Sequence, residues 1–185
     1  MKKAVLFSGQ IALLIGVLSS SIALAHTPNN SSGLTKLAVS EGHWVYHGHF
    51  LQDVGSQKGN WTWDENCRWA SNGAFMLCSF SNDWNGRHIN SIVVDTYNAR
   101  RKAFWHFEIF NSGPSARNPF AAKVEIVGNR RVESWVEEKN GKKMYERIVY
   151  VFSGSDHVKV WFQRSATGKG WMSTAIGVGK KTGEK

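Results

Sequence analysis

The chain is short of cysteine and of acidic residues, and beyond its first 25 positions it has no apolar run long enough to cross a membrane. Its only cysteines are Cys67 and Cys78, and 14 acidic residues stand against 23 basic ones, a formal charge of +9. That imbalance suits anionic partners. The single basic stripe of a nucleic-acid footprint is missing, however. Arg100, Arg101, Lys102, Arg130 and Arg131 belong to turns at one end of the expected strands, while Lys139, Lys142, Lys143 and Lys169 belong to turns at the other. No nucleic-acid partner is therefore expected. No Gly-x-Ser-x-Gly elbow presents a serine nucleophile. The adjacent carboxylates Asp64-Glu65 and Glu137-Glu138 lie on strand-like runs, where neighbouring side chains point to opposite faces, so neither is a catalytic pair.

What is present begins with Lys2 and Lys3, an apolar stretch from Ala4 to Leu24, and the small residues Ala23 and Ala25. This pattern predicts a secretory signal peptide over 1–25, a mature N-terminus at His26, and a periplasmic or secreted protein. Residues 26–41 read as a linker followed by a short helix from Ser32 to Ser40, with Leu34, Leu37 and Ala38 on one face. Such a segment usually plugs the end of a barrel. Residues 42–185 then form one domain, since the chain left after cleavage is too short for two comfortable cores.

After Gly42 the apolar period changes to two. Runs rich in Val, Ile, Trp, Phe and Tyr fall at 43–54, 60–70, 74–82, 87–97, 102–111, 120–127, 130–139, 142–152, 157–165 and 171–178. Turn signals separate them: Gly55-Ser56, Asn72-Gly73, Asn85-Gly86, Gly128-Asn129, Asn140-Gly141, Gly154-Ser155 and Gly168–Gly170. Connections this short exclude crossover helices, so sequence neighbours pair antiparallel. The expected fold is all-β, a ten-stranded up-and-down meander closed into a barrel. A two-sheet sandwich crossing through 112–119 is the alternative. An Asn72-Gly73 turn sets Ser71 against Ala74, Trp69 against Met76 and Cys67 against Cys78, within disulfide reach and in an oxidising compartment. Similarly, Asn140-Gly141 sets Val136 against Tyr145, Ser134 against Arg147 and Val132 against Val149.

Four features together resemble an exported bacterial lipocalin-like, calycin-type barrel family of unknown function. They are Gly42-His43-Trp44 after a short helix, the Cys-x-Trp-x3-Gly-x4-Cys of Cys67 to Cys78, Asp95-Thr96-Tyr97, and a closing Gly-Lys-Lys after a strand. The resemblance implies a barrel with an internal cavity and no established enzymatic activity. True lipocalins carry a C-terminal helix for which Lys180–Lys185 leaves no room. Nitrobindin-type haem barrels share ten strands, but their glycine- and tyrosine-rich opening motif is missing from Gly42 to Leu51. No cofactor is expected.

Trp44, Tyr46 and Phe50 read as the inward set of the first strand, which leaves His43, His47 and His49 outward. No Cys, Asp or Glu stands at ligand spacing beside those histidines, and a metal site is not expected. An N-terminal His26 offers a copper chelate without a supporting partner. On 102–111 the apolar set Ala103, Trp105, Phe107 and Ile109 reads as buried, placing His106 and Glu108 outside. On the hairpin around Asn140 the three acids of Glu133, Glu137 and Glu146 read as the wet side, which turns Arg147 inward beside Tyr145 and Ser134. A buried guanidinium needs a carboxylate, several carbonyls or an anionic ligand, unless it snorkels to a barrel mouth; the expected function is binding of a small, partly apolar ligand, with acidic character as an option. Its site is expected to comprise Arg147, Tyr145, Ser134, Trp44, Tyr46 and Trp105. An enzyme using His106 and Glu108 as an acid-base pair is the alternative, and a basic surface module for anionic envelope polymer is a third reading.

Overall fold

Alternation of apolar and polar positions from Gly42 onward produces ten strands joined in sequence order. They are β1 (Gly42–Phe50), β2 (Asn60–Ala70), β3 (Phe75–Trp84), β4 (Arg87–Asn98), β5 (Ala103–Phe110), β6 (Phe120–Val127), β7 (Arg130–Lys139), β8 (Lys142–Ser153), β9 (His157–Ser165) and β10 (Met172–Thr182). In the computed structural model, which describes residues 33–51, 58–84, 87–111 and 120–183, these strands form a closed antiparallel barrel. Each pairs with its sequence neighbours, and β1 pairs with β10. Closure leaves no exposed edge, the hazard of an open meander, and it excludes the sandwich. The expected signal peptide, most of the linker, the turns at 55–56 and 85–86 and the 112–119 connection lie outside the described residues.

The two Asn-Gly turns set register as their chemistry requires. Asn140 and Gly141 both take positive φ, 55° and 73°, giving the expected two-residue loop with Ser134 opposite Arg147. Around Asn72 the loop is wider than expected. Ala70 and Phe75 are the last pair, Ser71, Asn72 and Gly73 all have positive φ, and the N–H groups of Gly73 and Ala74 both donate to the Ala70 carbonyl. Because residues leave both strands symmetrically, the register survives. Cys67 still opposes Cys78, and the two are disulfide-bonded with Cα atoms 4.0 Å apart, nearer than an ideal opposed pair.

The segment before β1 is a 3-10 helix, Leu34–Ser40, rather than an α-helix, and Gly33 at its start makes no side-chain cap. Leu34 and Leu37 are buried against Cys67, Met76, Cys78, Val93, Val124 and Ile126, so the helix closes the barrel end that carries the β2–β3, β4–β5 and β6–β7 turns. A second apolar cluster fills the other half, built from Trp44, Tyr46, Trp61, Trp63, Tyr150, Phe152, Val158 and Val160. There the wall is thinned by glycine. Gly48 faces Gly177 across the β1–β10 ladder, and a Cβ on Gly48 would lie 2.1 Å from the Trp61 ring, so the indole lies flat on bare backbone.

Both sulfurs of the disulfide are fully buried under this helix. A Cys67→Ala/Cys78→Ala variant is expected to lose somewhat under about 3 kcal/mol of unfolding free energy, the loop-entropy value for a closure of this size. Urea unfolding measures it. Free thiols titrating in unreduced protein would show that the bond does not form.

Candidate functional site

Between the two apolar clusters the barrel buries a set of charged and polar side chains. Arg131 on β7 is its hub. Its Nε donates to Glu133 Oε1 at 2.8 Å, its Nη1 to Ser40 Oγ of the 3-10 helix at 2.9 Å, and its Nη2 to Asp95 Oδ2 at 2.6 Å. The Asp95 carboxylate also accepts from His106 Nδ1 at 2.8 Å. The other nitrogen, His106 Nε2, lies 4.0 Å from Glu108 Oε2, and Glu108 in turn accepts from Ser91 Oγ. Asp95, His106, Arg131 and Glu133 are all buried, whereas the Glu108 side chain keeps 16% of its surface and is where the chain of contacts reaches outward. Neighbouring this network, Tyr46 donates its hydroxyl to Glu65 Oε2 at 2.9 Å.

Burial and pairing set opposing protonation states. Burial alone would raise Asp95, but Arg131 and His106 hold its carboxyl below the ordinary value. For His106, burial opposes the charged form, yet the carboxylates of Glu133 and Asp95 outweigh it and push the imidazole up to about 9, so it is an imidazolium at neutral pH. Burial pushes Glu65 up to about 8 despite Arg131, and it raises Glu108 as well. Glu65 Oε1 lies 2.9 Å from Cys67 Sγ. A disulfide sulfur has no proton to give, so the protonated carboxyl is the donor there. Glu65, Cys67 and Cys78 sit close enough together to suggest metal ligands, but with both sulfurs bonded to each other no thiolate is present.

The described interior is also rich in donors that meet no acceptor. The indole N–H groups of Trp44, Trp61, Trp63 and Trp69 are buried without a hydrogen-bond partner, as is Asn82 Oδ1. Trp61 and Trp63 are neighbours, with ring centroids 5.5 Å apart, and Asn82 is the register partner of Trp63. They stand in the half of the barrel away from the helix. A recess of about 740 Å³ between Asn129, Val151–Gly154 and Lys159 shares no residue with the charged network.

Of the sequence-predicted site, Trp44 and Tyr46 face inward and are buried, and Tyr46 joins the network through Glu65. The other four do not. Ile148 and Tyr150 pack inside, so Arg147 and Tyr145 point to the outer face of β8, and Ser134, opposite Arg147, is outside too. Arg147 donates to Gln163 at 2.7 Å and lies over the Trp171 ring at 4.0 Å, which satisfies it without a ligand. Trp105 is outside as well, stacked on Phe107. The inversion has one cause: on β5, β7 and β8 the inward face carries charge that is neutralised across strands, so the more apolar face was the wrong guide. His106 is buried and within reach of Glu108, whereas the apolar face of β5 had been expected inside. His47 and His49 are exposed, as expected, while His43 is buried and bonded to Asp64 at 2.8 Å. Sequence reading missed Asp95, Arg131, Glu133 and Glu65. For Glu65 the signal was available, since it lies between Trp63 and Cys67 on their shared face.

No family model matches the sequence, and no curated protein is similar to it at a significant level. Among solved structures the chain is similar to Rv2717c from M. tuberculosis, at 11% identity and a TM-score of 0.55 over 83% of this chain and 99% of that one. It also resembles a protein of unknown function of the DUF3598 family from Nostoc punctiforme, at 12% identity and a TM-score of 0.49, over 88% of this chain and 53% of that one. The fold thus defines the class: a closed ten-stranded antiparallel meander β-barrel, an architecture for which the first of these provides a solved counterpart.

The raised groups fix how stability depends on pH. Glu65 is raised in the folded protein from an ordinary 4.5 to about 8, so folding retains a proton that the unfolded chain releases, and stability falls as pH rises between those values. His106 is raised from 6.5 to about 9, so its contribution is complete below 6.5 and is lost on the way to 9. Urea midpoints should therefore fall from pH 6.5 to pH 9, the values that bound the His106 titration. In Glu65→Gln the decline beginning near 4.5 should flatten, leaving the histidine part. A midpoint independent of pH over this range would contradict both assignments.

Proposed function

We propose that the protein is an exported binding barrel that takes a small, partly apolar ligand inside, between Trp61, Trp63 and Asn82 on one wall and His106, Glu108 and Ser91 on another. The observation that carries this reading is the group of buried indole N–H donors without acceptors. Buried polar groups are nearly always hydrogen-bonded, and an unmet donor costs about 1–3 kcal/mol. A ligand bringing acceptor oxygens between aromatic walls would meet them.

An acidic ligand was suggested by Arg147, which faces outward. The cations described beside this site are already matched, Arg131 by Asp95 and Glu133, His106 by Asp95, and Arg164 by Glu146, and Lys181 lies apart from it over the Trp44 ring. The ligand chemistry that fits is therefore neutral, with hydroxyl, ether or carbonyl oxygens. Export is supported by the Lys2, Lys3 and Ala23–Ala25 pattern and by the buried disulfide, and the lipocalin-like reading by the barrel and the Gly42-His43-Trp44 opening. A second reading, acid-base chemistry on such a ligand, has in its favour the approach of His106 Nε2 to Glu108. There the imidazolium would donate a proton and the Glu108 carboxylate accept one.

Tryptophan emission titrated with neutral long-chain alcohols and with fatty acids tests the binding reading. Neutral ligands should shift the spectrum, and Trp63→Phe should weaken them about three- to tenfold, the worth of one hydrogen bond. If emission ignores every ligand, and native mass spectrometry of protein from its own host shows the bare chain mass, the reading fails.

A further inference from the structure

The outer wall of β3–β6 is unlike the rest of the barrel surface. Ile92 and Ile109 are register partners and are 53% and 49% exposed, and Phe107, 39% exposed, is the partner of Val94. Leu77 continues the row on β3 and Ala121 on β6, while Trp105 lies beside it, half-buried, its ring parallel to Phe107 at 6.0 Å. The result is a contiguous apolar and aromatic surface across four strands, the kind that marks an interaction site on a soluble protein. It does not come from the face-alternation of a membrane-spanning barrel, which needs an apolar band all the way round. Here exposed His47 and His49 and half-buried Arg147 occupy outward positions on other strands.

Charge says what covers it. The turn at the end of β4–β5 carries exposed Arg100, Arg101 and Lys102, and Arg101 lies over the Trp105 ring at 5.9 Å. Lys123, 72% exposed, is the register partner of Trp105, and exposed Arg68 is the partner of Leu77. Glu125, paired with Lys123, and exposed Asp83 toward the far end of β3 are acids on the same wall. An aromatic and aliphatic surface edged by guanidinium and ammonium groups matches an anionic lipid surface: rings and branched chains enter the headgroup boundary while the cations meet phosphates.

We propose that the outer face of β3–β6 docks the protein on an anionic lipid bilayer, with Phe107, Ile92, Ile109 and Trp105 at the interface and Arg68, Arg100, Arg101, Lys102 and Lys123 on the headgroups. The surface is separate from the interior site, so the proposal stands whether or not that site binds a ligand. Co-sedimentation of the mature protein with phosphatidylcholine vesicles, with and without phosphatidylglycerol, tests it. Binding should require phosphatidylglycerol and weaken with salt. It should drop about tenfold or more in Arg100→Glu/Arg101→Glu, and as far in Phe107→Ser/Ile109→Ser. Both pairs change exposed positions, and circular dichroism confirms that each variant is folded. Three results would each overturn the proposal: equal binding to both vesicle types or to neither, binding that is unchanged in Phe107→Ser/Ile109→Ser, or a dimer in light scattering that this variant dissolves, which would assign the face to a second copy.

Discussion

Arg131 is held at three nitrogens by Glu133, Asp95 and Ser40, and the interior of the barrel is organised around keeping that guanidinium paired. A cation in an apolar interior is costly unless every donor is met, and removing one partner leaves the other charges buried and unmatched. The partners come from β4, β7 and the 3-10 helix, so the network is complete only when the barrel has closed and the helix has docked. That ties the plug to the wall by chemistry as well as by the packing of Leu34 and Leu37.

The same network divides the interior into halves with different work. On the helix side, Cys67, Cys78, Met76, Val93, Val124 and Ile126 make a dry core pinned by a disulfide. On the other side the aromatic rings are larger, the wall behind Trp61 is bare glycine backbone, and the indole donors of Trp44, Trp61 and Trp63 are unmet. His106 and Glu108 connect the two, one buried and charged, the other partly exposed and with its pKa raised by burial. A site with fixed charge behind it and unspent donors in front of it is suited to orienting a neutral molecule. The full matching of its cations makes it poor at holding an anion.

What the sequence by itself determined is the backbone. Alternation predicted all ten strands, with four of them matched to the residue at both ends, and the Asn-Gly turns placed Cys67 opposite Cys78 and Ser134 opposite Arg147. Turn chemistry and side-chain period are local, so they survive without knowledge of the fold. Tertiary structure decided which face of β5, β7 and β8 turns inward. Apolar count pointed to Trp105, Phe107 and Ile109, yet the barrel took His106, Glu133 and Arg131 inside, because Asp95 of β4 meets both His106 and Arg131, and Arg131 in turn meets Glu133. Such pairing is invisible to any one segment: Arg131 and Ser40 are 91 residues apart, and only closure of the barrel makes them neighbours.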